Sequence, residues 1–370
     1  MLWYNESGDN MKVLISAGGT GGHIYPALAI IEKIKKEDKK AEFLYIGTTN
    51  RMEKDIIPEK GLPFFGIEVY GLKRSFKPKD IIFNIKAVFK YLSSTSIVKK
   101  KIKEFNPDIV IGAGGYVTAP VIKAAKKLGY KTLVHEQNSI LGLSNKMNLK
   151  YTDTLCTSFK DMKVDKCNYV YTGNPTSENA INMPKMDLKK LGINNNKKTV
   201  LVVMGSLGSM TVSNVLKESL TKFDDSYNTI IITGKDYYDS YLGLEKGENV
   251  YLFPYMNDLP SLMKSCDLMV TRAGASTISE IVSTVTPAVF VPSPYVTENH
   301  QYKNAMSLVS EGAALILEEK DLTSDSLTDI ISKTMGNDET IKELKKNLSK
   351  FEVSDSQERI YREITKLIKE

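Results

Sequence analysis

Cysteine, histidine and tryptophan are scarce in this sequence: three, three and one in 370 residues. Cys156, Cys167 and Cys266 form no Cys-x-x-Cys pair, and their odd number argues against a disulfide framework, so a reducing, cytoplasmic compartment is expected. A three-histidine zinc site finds no His-x-His or His-Glu-x-x-His spacing. No apolar run reads as the roughly 18 residues that a membrane-spanning helix takes. The polar start MLWYNESGDN lacks the basic region, apolar stretch and cleavage site of a signal peptide. Since Met11 directly precedes the first strand-like run, residues 1–10 are expected to be an extension outside the fold. Charge of one sign is also missing. Fifty basic residues are interspersed with 44 acidic ones, a net +6, which leaves no general cationic field for nucleic acid. Two phosphate-binding signatures are absent too. No GxxxxGK[ST] occurs, which excludes a P-loop. GGTGGH does not fit GxGxxG, and the strand AEFLYIG ends in Thr48 and Thr49 instead of the acid that would hold an adenosine ribose, which disfavours a nicotinamide dehydrogenase.

What is present is alternation. Short β-rich runs, MKVLIS, AEFLYIG, DIVIGAG, KTLVHE and TDTLCTS, are separated by helical patterns such as YPALAIIEKIKKE and TAPVIKAAKKLG. Strands alternating with helices predict a parallel sheet of βαβ units. The pattern lapses after Pro175 into TSENAINMPKMDLKKLGINNNKK and restarts at Thr199 with TVLVVMGSLGS, NTIIITG, NVYLFPY, DLMVTRAG and PAVFVPS. At this length one hydrophobic core is too few. The expected organisation is an N-terminal α/β domain over 11–175, a linker over 176–198 and a second α/β domain over 199–370, with the last helix a candidate to pack back on the first. Both are Rossmann-like parallel-sheet domains. Ligands in such open sheets bind beyond the carboxyl ends of the strands, so two sheets facing a central cleft would share one site.

The Gly-rich turns GGTGGH, GAGGYVTAP and GSLGS each follow a buried strand and open a helix, where glycines admit close backbone approach and free N–H groups favour an anion. His23 lies at such a helix start, and a reference pKa near 6.5 suits a general base. His135, ending the apolar strand KTLVHE, reads as a structural hydrogen-bonder. In TRAGASTISEI a helix is expected to start near Ser276 or Thr277. Thr277-x-x-Glu280 fits a capping box, which would make Glu280 structural; alternatively its carboxylate accepts two hydrogen bonds from a vicinal diol while Ala275 to Thr277 offer N–H groups to a diphosphate.

One stretch is locally basic and aromatic, GLKRSFKPKDIIFNIKAVFKYLSS. Read as an ordinary amphipathic helix, it buries Ile82, Phe83, Ile85, Val88, Phe89 and Leu92 in the core. Otherwise Phe76, Ile81, Ile82 and Phe83, ringed by Lys73, Arg74, Lys77, Lys79 and Lys86, form a patch for an anionic membrane surface.

In order, GGTGGHIYPALA, GAGGYVTAP, HEQNSILGLSNK, TGNP, GSLGS, TRAGASTISEI and ENHQYKNA resemble the MurG family of inverting GT-B glycosyltransferases over nearly the whole chain from Met11. The resemblance implies transfer of N-acetylglucosamine from UDP-N-acetylglucosamine to the C4 hydroxyl of the muramoyl sugar on undecaprenyl-diphosphate-linked muramoyl-pentapeptide. This step converts lipid I to lipid II in peptidoglycan synthesis, which supports cell shape and division. It implies a peripheral protein at the cytoplasmic face of the bacterial membrane, with wall-synthesis and division proteins as further partners. The implied donor site takes Thr20, Gly21, Gly22, Asn138, Ser206, Met256 by the uracil, Ala275, Ser276, Thr277, Ile278, Ser279, Glu280 on the ribose diol, and Gln301 at the sugar. Ser177 stands where many members carry an arginine near the donor diphosphate, so neutralisation there is expected from helix N-termini or from another residue, with Arg272 a candidate. The implied acceptor diphosphate lies against Gly18, Gly19, Gly114, Gly115, Tyr116 and Thr118. His23 is the leading base and Glu136 a weaker one. No DxD motif occurs in the glycine-rich loops, and no metal or other cofactor is expected to be required. Two rival readings are a UDP-N-acetylglucosamine 2-epimerase and a non-catalytic sugar-nucleotide sensor.

Overall fold

A computed structural model of the chain describes residues 10–71, 73, 77–160, 162, 164–194, 196–204 and 210–370. The chain forms two compact units, one of residues 1–176 with 355–370 and the other of 177–354. Each is built on one parallel sheet.

The first sheet contains β1 (Lys12–Ser16), β2 (Glu42–Thr48), β3 (Phe64–Ile67), β4 (Ile109–Gly112), β5 (Lys131–Glu136), β6 (Thr154–Thr157) and β7 (Asn168–Tyr171) in the order 3-2-1-4-5-6-7. The second contains β8 (Thr199–Val203), β9 (Asn228–Ile232), β10 (Val250–Phe253), β11 (Leu268–Thr271), β12 (Ala288–Phe290) and β13 (Leu315–Ile316) in the order 10-9-8-11-12-13. Central strands such as KVLIS and LMVT are apolar along their length and covered on both faces, as a parallel sheet between helices requires. In register, Val13 lies between Phe43 and Ile109, and Val200 between Thr229 and Leu268. Strand order reverses between β1 and β4 and between β8 and β11, and the turns GGTGGH and GAGGYVTAP follow the two strands at the first of these switch points. Three strands escaped the sequence reading: FFGI, NYVY and the two-residue LI lie at sheet edges, too short and too exposed to show a buried-strand pattern.

The core of the first unit joins Val13, Ile15 and Tyr45 to Ile24, Ile31 and Ile34 of the helix Gly21–Glu37, and to Ile360, Ile364 and Leu367 of the final helix Ser356–Lys369. Lys33 pairs with both Glu37 (2.6 Å) and Glu358 (2.7 Å) across the same contact. Each fully buried Ile or Leu contributes about 1.5–3 kcal/mol, so the last helix is integral to the first unit. The stretch expected as a linker is packed as well. Its helix Ser177–Asn182 contacts the helix Ala275–Thr284, Leu188 and Ile193 are buried, and Lys264 Nζ donates to the carbonyls of Ile181 (2.5 Å) and Met183 (2.6 Å).

The helix Pro78–Phe105 departs from the amphipathic reading. Ala87, Ser94, Thr95, Val98 and Ile102 are buried, the helix packing against Thr118–Lys127, whereas Ile82, Ile85, Val88, Phe89 and Leu92 are all about half exposed or more. By length and composition it is also apolar enough to cross a membrane, with a mean hydropathy of 1.2 over 18 residues, contrary to the reading that no such segment exists.

Candidate functional site

In the first unit the GGTGGH turn connects β1 to the helix Gly21–Glu37. Thr20 is its N-cap in an extended conformation and makes no side-chain cap bond, so the first-turn amides of Gly21 and Gly22 lack an intrahelical acceptor. Gly18 and Gly19 differ from expectation. Gly18 N–H donates to the Gly114 carbonyl (3.2 Å) and Gly19 N–H to Glu53 Oε2 (3.1 Å), so neither amide is left to cradle a diphosphate. His23 Nδ1 lies 3.0 Å from the Gly18 carbonyl and 3.4 Å from Thr20 Oγ1. A carbonyl only accepts, so Nδ1 carries the proton and Nε2 the basic lone pair.

The GAGGYVT turn after β4 interlocks with this loop. Gly114 (φ 98°) and Gly115 (φ 89°) adopt left-handed conformations. A Cβ on Gly115 would lie 2.3 Å from the Gly18 oxygen, and one on Gly114 would lie 2.4 Å from the His23 ring. Tyr116 is half exposed, and its ring covers Gly71. Thr118 is buried; its hydroxyl donates to Gly115 O (2.8 Å) and so accepts from Ser144 Oγ (2.8 Å), which makes it a fastener for the loop, not an anion ligand.

Glu136 is excluded as a base by its surroundings. Only 2% exposed, it accepts Asn138 N–H (3.0 Å), Asn138 Nδ2 (3.1 Å), Gly142 N–H (2.9 Å) and Asn145 Nδ2 (2.8 Å). It thus organises HEQNSILGLSN, and the Asn138 amide group is engaged there. His135 is structural as expected. Its Nε2 donates to Gly173 O (3.1 Å), its Nδ1 faces Gln137 Nε2 (3.0 Å), and burial pushes its pKa down to about 4. His300 Nδ1 donates to Thr297 O (2.8 Å).

In the second unit β11 ends at Thr271. Arg272 pairs with Glu319 (2.6 Å) and donates to Val291 O (3.0 Å), both side chains nearly buried, so it serves as an internal brace instead of replacing a phosphate-binding arginine. Gly274 is the N-cap of Ala275–Thr284, again without a side-chain cap bond. The helix therefore starts one residue before the earliest expected position, Thr277 lies inside it, and the capping-box reading of Glu280 falls. Among the described residues no donor reaches the Glu280 carboxyl, and desolvation raises its pKa to about 7. Ser276 sits in the same open first turn, Ile278 is buried in the core, and Ser279 Oγ turns back onto Ala275 O (2.9 Å). Ahead of the helix His300–Val309, Glu298 and Asn299 both have left-handed backbones (φ 56° and 52°), a strained approach of the kind found at binding sites. Gln301 Oε1 accepts Ser293 N–H (2.8 Å), which orients its NH₂ group. Met256 is partly buried in the loop after β10, and Ser177 is buried at the start of its helix. Ser206 and the rest of GSLGS, Arg74 and Phe76 lie outside the described residues. Among the described residues no three His, Cys, Asp or Glu side chains gather as a metal site.

Two residues had no signature in the sequence. They are Glu53 and Glu319, whose buried roles rest on contacts across 34 and 47 positions.

Two parallel sheets, each with a helix-opening turn at its switch point, give the chain the GT-B fold. The glycosyltransferase family 28 N-terminal domain matches residues 13–157 and the family 28 C-terminal domain residues 199–360. A protein of Bacillus cytotoxicus named UDP-N-acetylglucosamine–N-acetylmuramyl-(pentapeptide) pyrophosphoryl-undecaprenol N-acetylglucosamine transferase is 40% identical over 367 residues, covering 97% of this chain and all of its own. One of the same name from Bacillus licheniformis is 40% identical, covering 96% and 99%. The crystal structure of Acinetobacter baumannii MurG aligns with a TM-score of 0.80 at 25% identity over 96% of this chain and 99% of its own. A putative UDP-N-acetylglucosamine 2-epimerase of Listeria monocytogenes aligns at 0.67 and 13% identity over 96% of each chain, which is a likeness of fold alone. The chain belongs to glycosyltransferase family 28, and is thereby a hexosyltransferase.

Proposed function

We propose that this enzyme transfers N-acetylglucosamine from UDP-N-acetylglucosamine to the C4 hydroxyl of the muramoyl sugar of lipid I, giving lipid II. The observation that carries the mechanism is His23, held by the Gly18 carbonyl in the tautomer whose Nε2 is basic. The acceptor hydroxyl attacks the anomeric carbon from the face opposite UDP and its proton passes to Nε2. The bond from the anomeric carbon to the diphosphate oxygen breaks with its electron pair, and the configuration inverts. Charge developing on UDP is met by the open first turn of Ala275–Thr284, whose capping residue leaves the amides unspent. Glu280, desolvated and with no donor among the described residues, takes the ribose diol. The acceptor diphosphate is assigned to the first-turn amides at Gly21 and Gly22. Likewise, the exposed face of Pro78–Phe105, from Ile81 to Leu92 with Lys77, Lys79 and Lys86, rests on the anionic cytoplasmic surface of the membrane. Its opposite face is docked on the first unit, which favours lying on the bilayer over spanning it. Phe83 is less available than its neighbours, packed edge-to-face on Tyr70 (5.7 Å) and under Lys73 (4.8 Å), while Lys73 also pairs with Asp80 (2.8 Å).

The test is incubation with UDP-N-acetylglucosamine, with and without a short-chain lipid I analogue, following UDP and the product mass. Acceptor-dependent UDP and a β-1,4-linked disaccharide are expected. Binding without turnover would instead describe a sensor, and free N-acetylmannosamine an epimerase. Replacing His23 by Gln should lower kcat about 10²–10⁴-fold with donor affinity retained; equal loss of donor binding would remove it from catalysis.

A further inference from the structure

The carboxylate of Glu53 and the ring of His23 contact opposite edges of one peptide group. Glu53 opens the short helix Glu53–Glu59 and has no exposed surface. Its Oε2 accepts the Gly19 N–H at 3.1 Å, while its Oε1 accepts the Thr48 N–H (3.0 Å) and the Thr48 hydroxyl (2.5 Å). All three partners donate, which suits the ionised, acceptor-only form. Among the described residues no Lys or Arg pairs with it, so these three donors alone offset the cost of its burial.

The Gly19 N–H and the Gly18 C=O belong to the same peptide group, and that carbonyl accepts His23 Nδ1–H at 3.0 Å. Peptide conjugation and hydrogen-bond cooperativity make the oxygen a stronger acceptor when an anion sits on the N–H. We propose that Glu53 acts through the Gly18–Gly19 peptide as a positioning residue for His23, fixing the Nδ1–H tautomer and raising the basicity of Nε2. The proposal rests on the reading of His23 as the base. No proton passes along the chain; the acceptor proton stops at Nε2. Glycine is what permits the contact. A Cβ on Gly18 would lie 2.3 Å from Glu53 Oε1, and a Cβ on Gly115 would strike the same carbonyl that holds His23.

The experiment is a double-mutant cycle of Glu53→Gln and His23→Gln in the full-length enzyme. Glu53→Gln is expected to lower kcat about tenfold with the KM for UDP-N-acetylglucosamine unchanged. Because His23 becomes less basic, the acid limb of the kcat profile moves to lower pH, and ¹⁵N-histidine NMR shows His23 titrating at lower pH than in the wild type. In the His23→Gln background, Glu53→Gln costs nothing further. An additive loss, an unmoved His23 titration, or a raised KM at constant kcat overturns the proposal while leaving the base in place. A fully active His23→Gln sinks both the base and the relay. If Glu53→Gln does not fold, Glu53→Asp, which keeps the charge but withdraws the carboxylate by one methylene, enters the same cycle, and additivity again refutes the coupling.

Discussion

Replacing Glu280 by Gln should make the protein more stable and a poorer binder of its donor at the same time. Burial raises the Glu280 pKa from 4.5 to about 7. Below pH 4.5 both folded and unfolded chains hold the proton and the group costs nothing. As pH rises toward 7 the unfolded chain ionises first, so stability is lost until the folded pKa is passed. A shift of that size corresponds to about 3 kcal/mol above pH 7, and Gln, which never ionises, escapes the loss. Wild type and variant should therefore melt alike near pH 4.5 and diverge by pH 8 in favour of the variant. Donor binding runs the other way. A ribose diol that donates two hydrogen bonds to an ionised carboxylate is left with one neutral acceptor, a loss of about 2 kcal/mol or roughly thirtyfold in affinity. Wild-type affinity should also fall as pH drops below 7, while that of the variant stays level. Calorimetric titration with UDP-N-acetylglucosamine and with its 2′,3′-dideoxyribose analogue, beside thermal melts from pH 4.5 to 8.5, measures both effects. The reasoning is refuted if the variant discriminates between the two donors as strongly as the wild type, or gains no stability at pH 8.

Gly115→Ala places a methyl 2.3 Å from the Gly18 oxygen at a φ of 89°, so a loss of about 1–3 kcal/mol in stability and a drop in kcat are expected, read by melting and turnover together. Changing Ile82 and Phe89 to Glu should leave turnover of a soluble acceptor analogue intact but weaken co-sedimentation with anionic vesicles by roughly tenfold per residue, from about 1–1.5 kcal/mol of lost apolar contact each; unchanged sedimentation would remove this face from the membrane. Glu319→Ala leaves Arg272 buried without its counter-ion and should cost about 3–5 kcal/mol, whereas a phosphate-binding role for Arg272 would show as weaker UDP binding at unchanged stability.

Much of this was legible in the residues themselves because it depends on local order. A glycine string after a buried apolar strand marks a turn that must approach something closely, whereas strand order, and with it both switch points, came only from the structure. His135 was assignable because it ends an apolar strand, where only an uncharged ring is tolerated. The capping-box reading of Thr277 and Glu280 failed because the same spacing occurs one turn inside a helix whose cap is a glycine. The helix Pro78–Phe105 left two readings open for a related reason: periodicity shows that a helix has an apolar face but not whether the protein supplies a partner for it. Glu53 and Arg272 were out of reach altogether, since their roles come from residues dozens of positions away.

The return of Ser356–Lys369 to the first unit bears on how the chain is made. A ribosome delivers β1 to β7 long before Ile360, Ile364 and Leu367 emerge, so the second unit has all of its residues while the first still lacks part of its interior. The half that is synthesised first is thus the last to close, and the final helix must be made before the unit carrying His23 is finished.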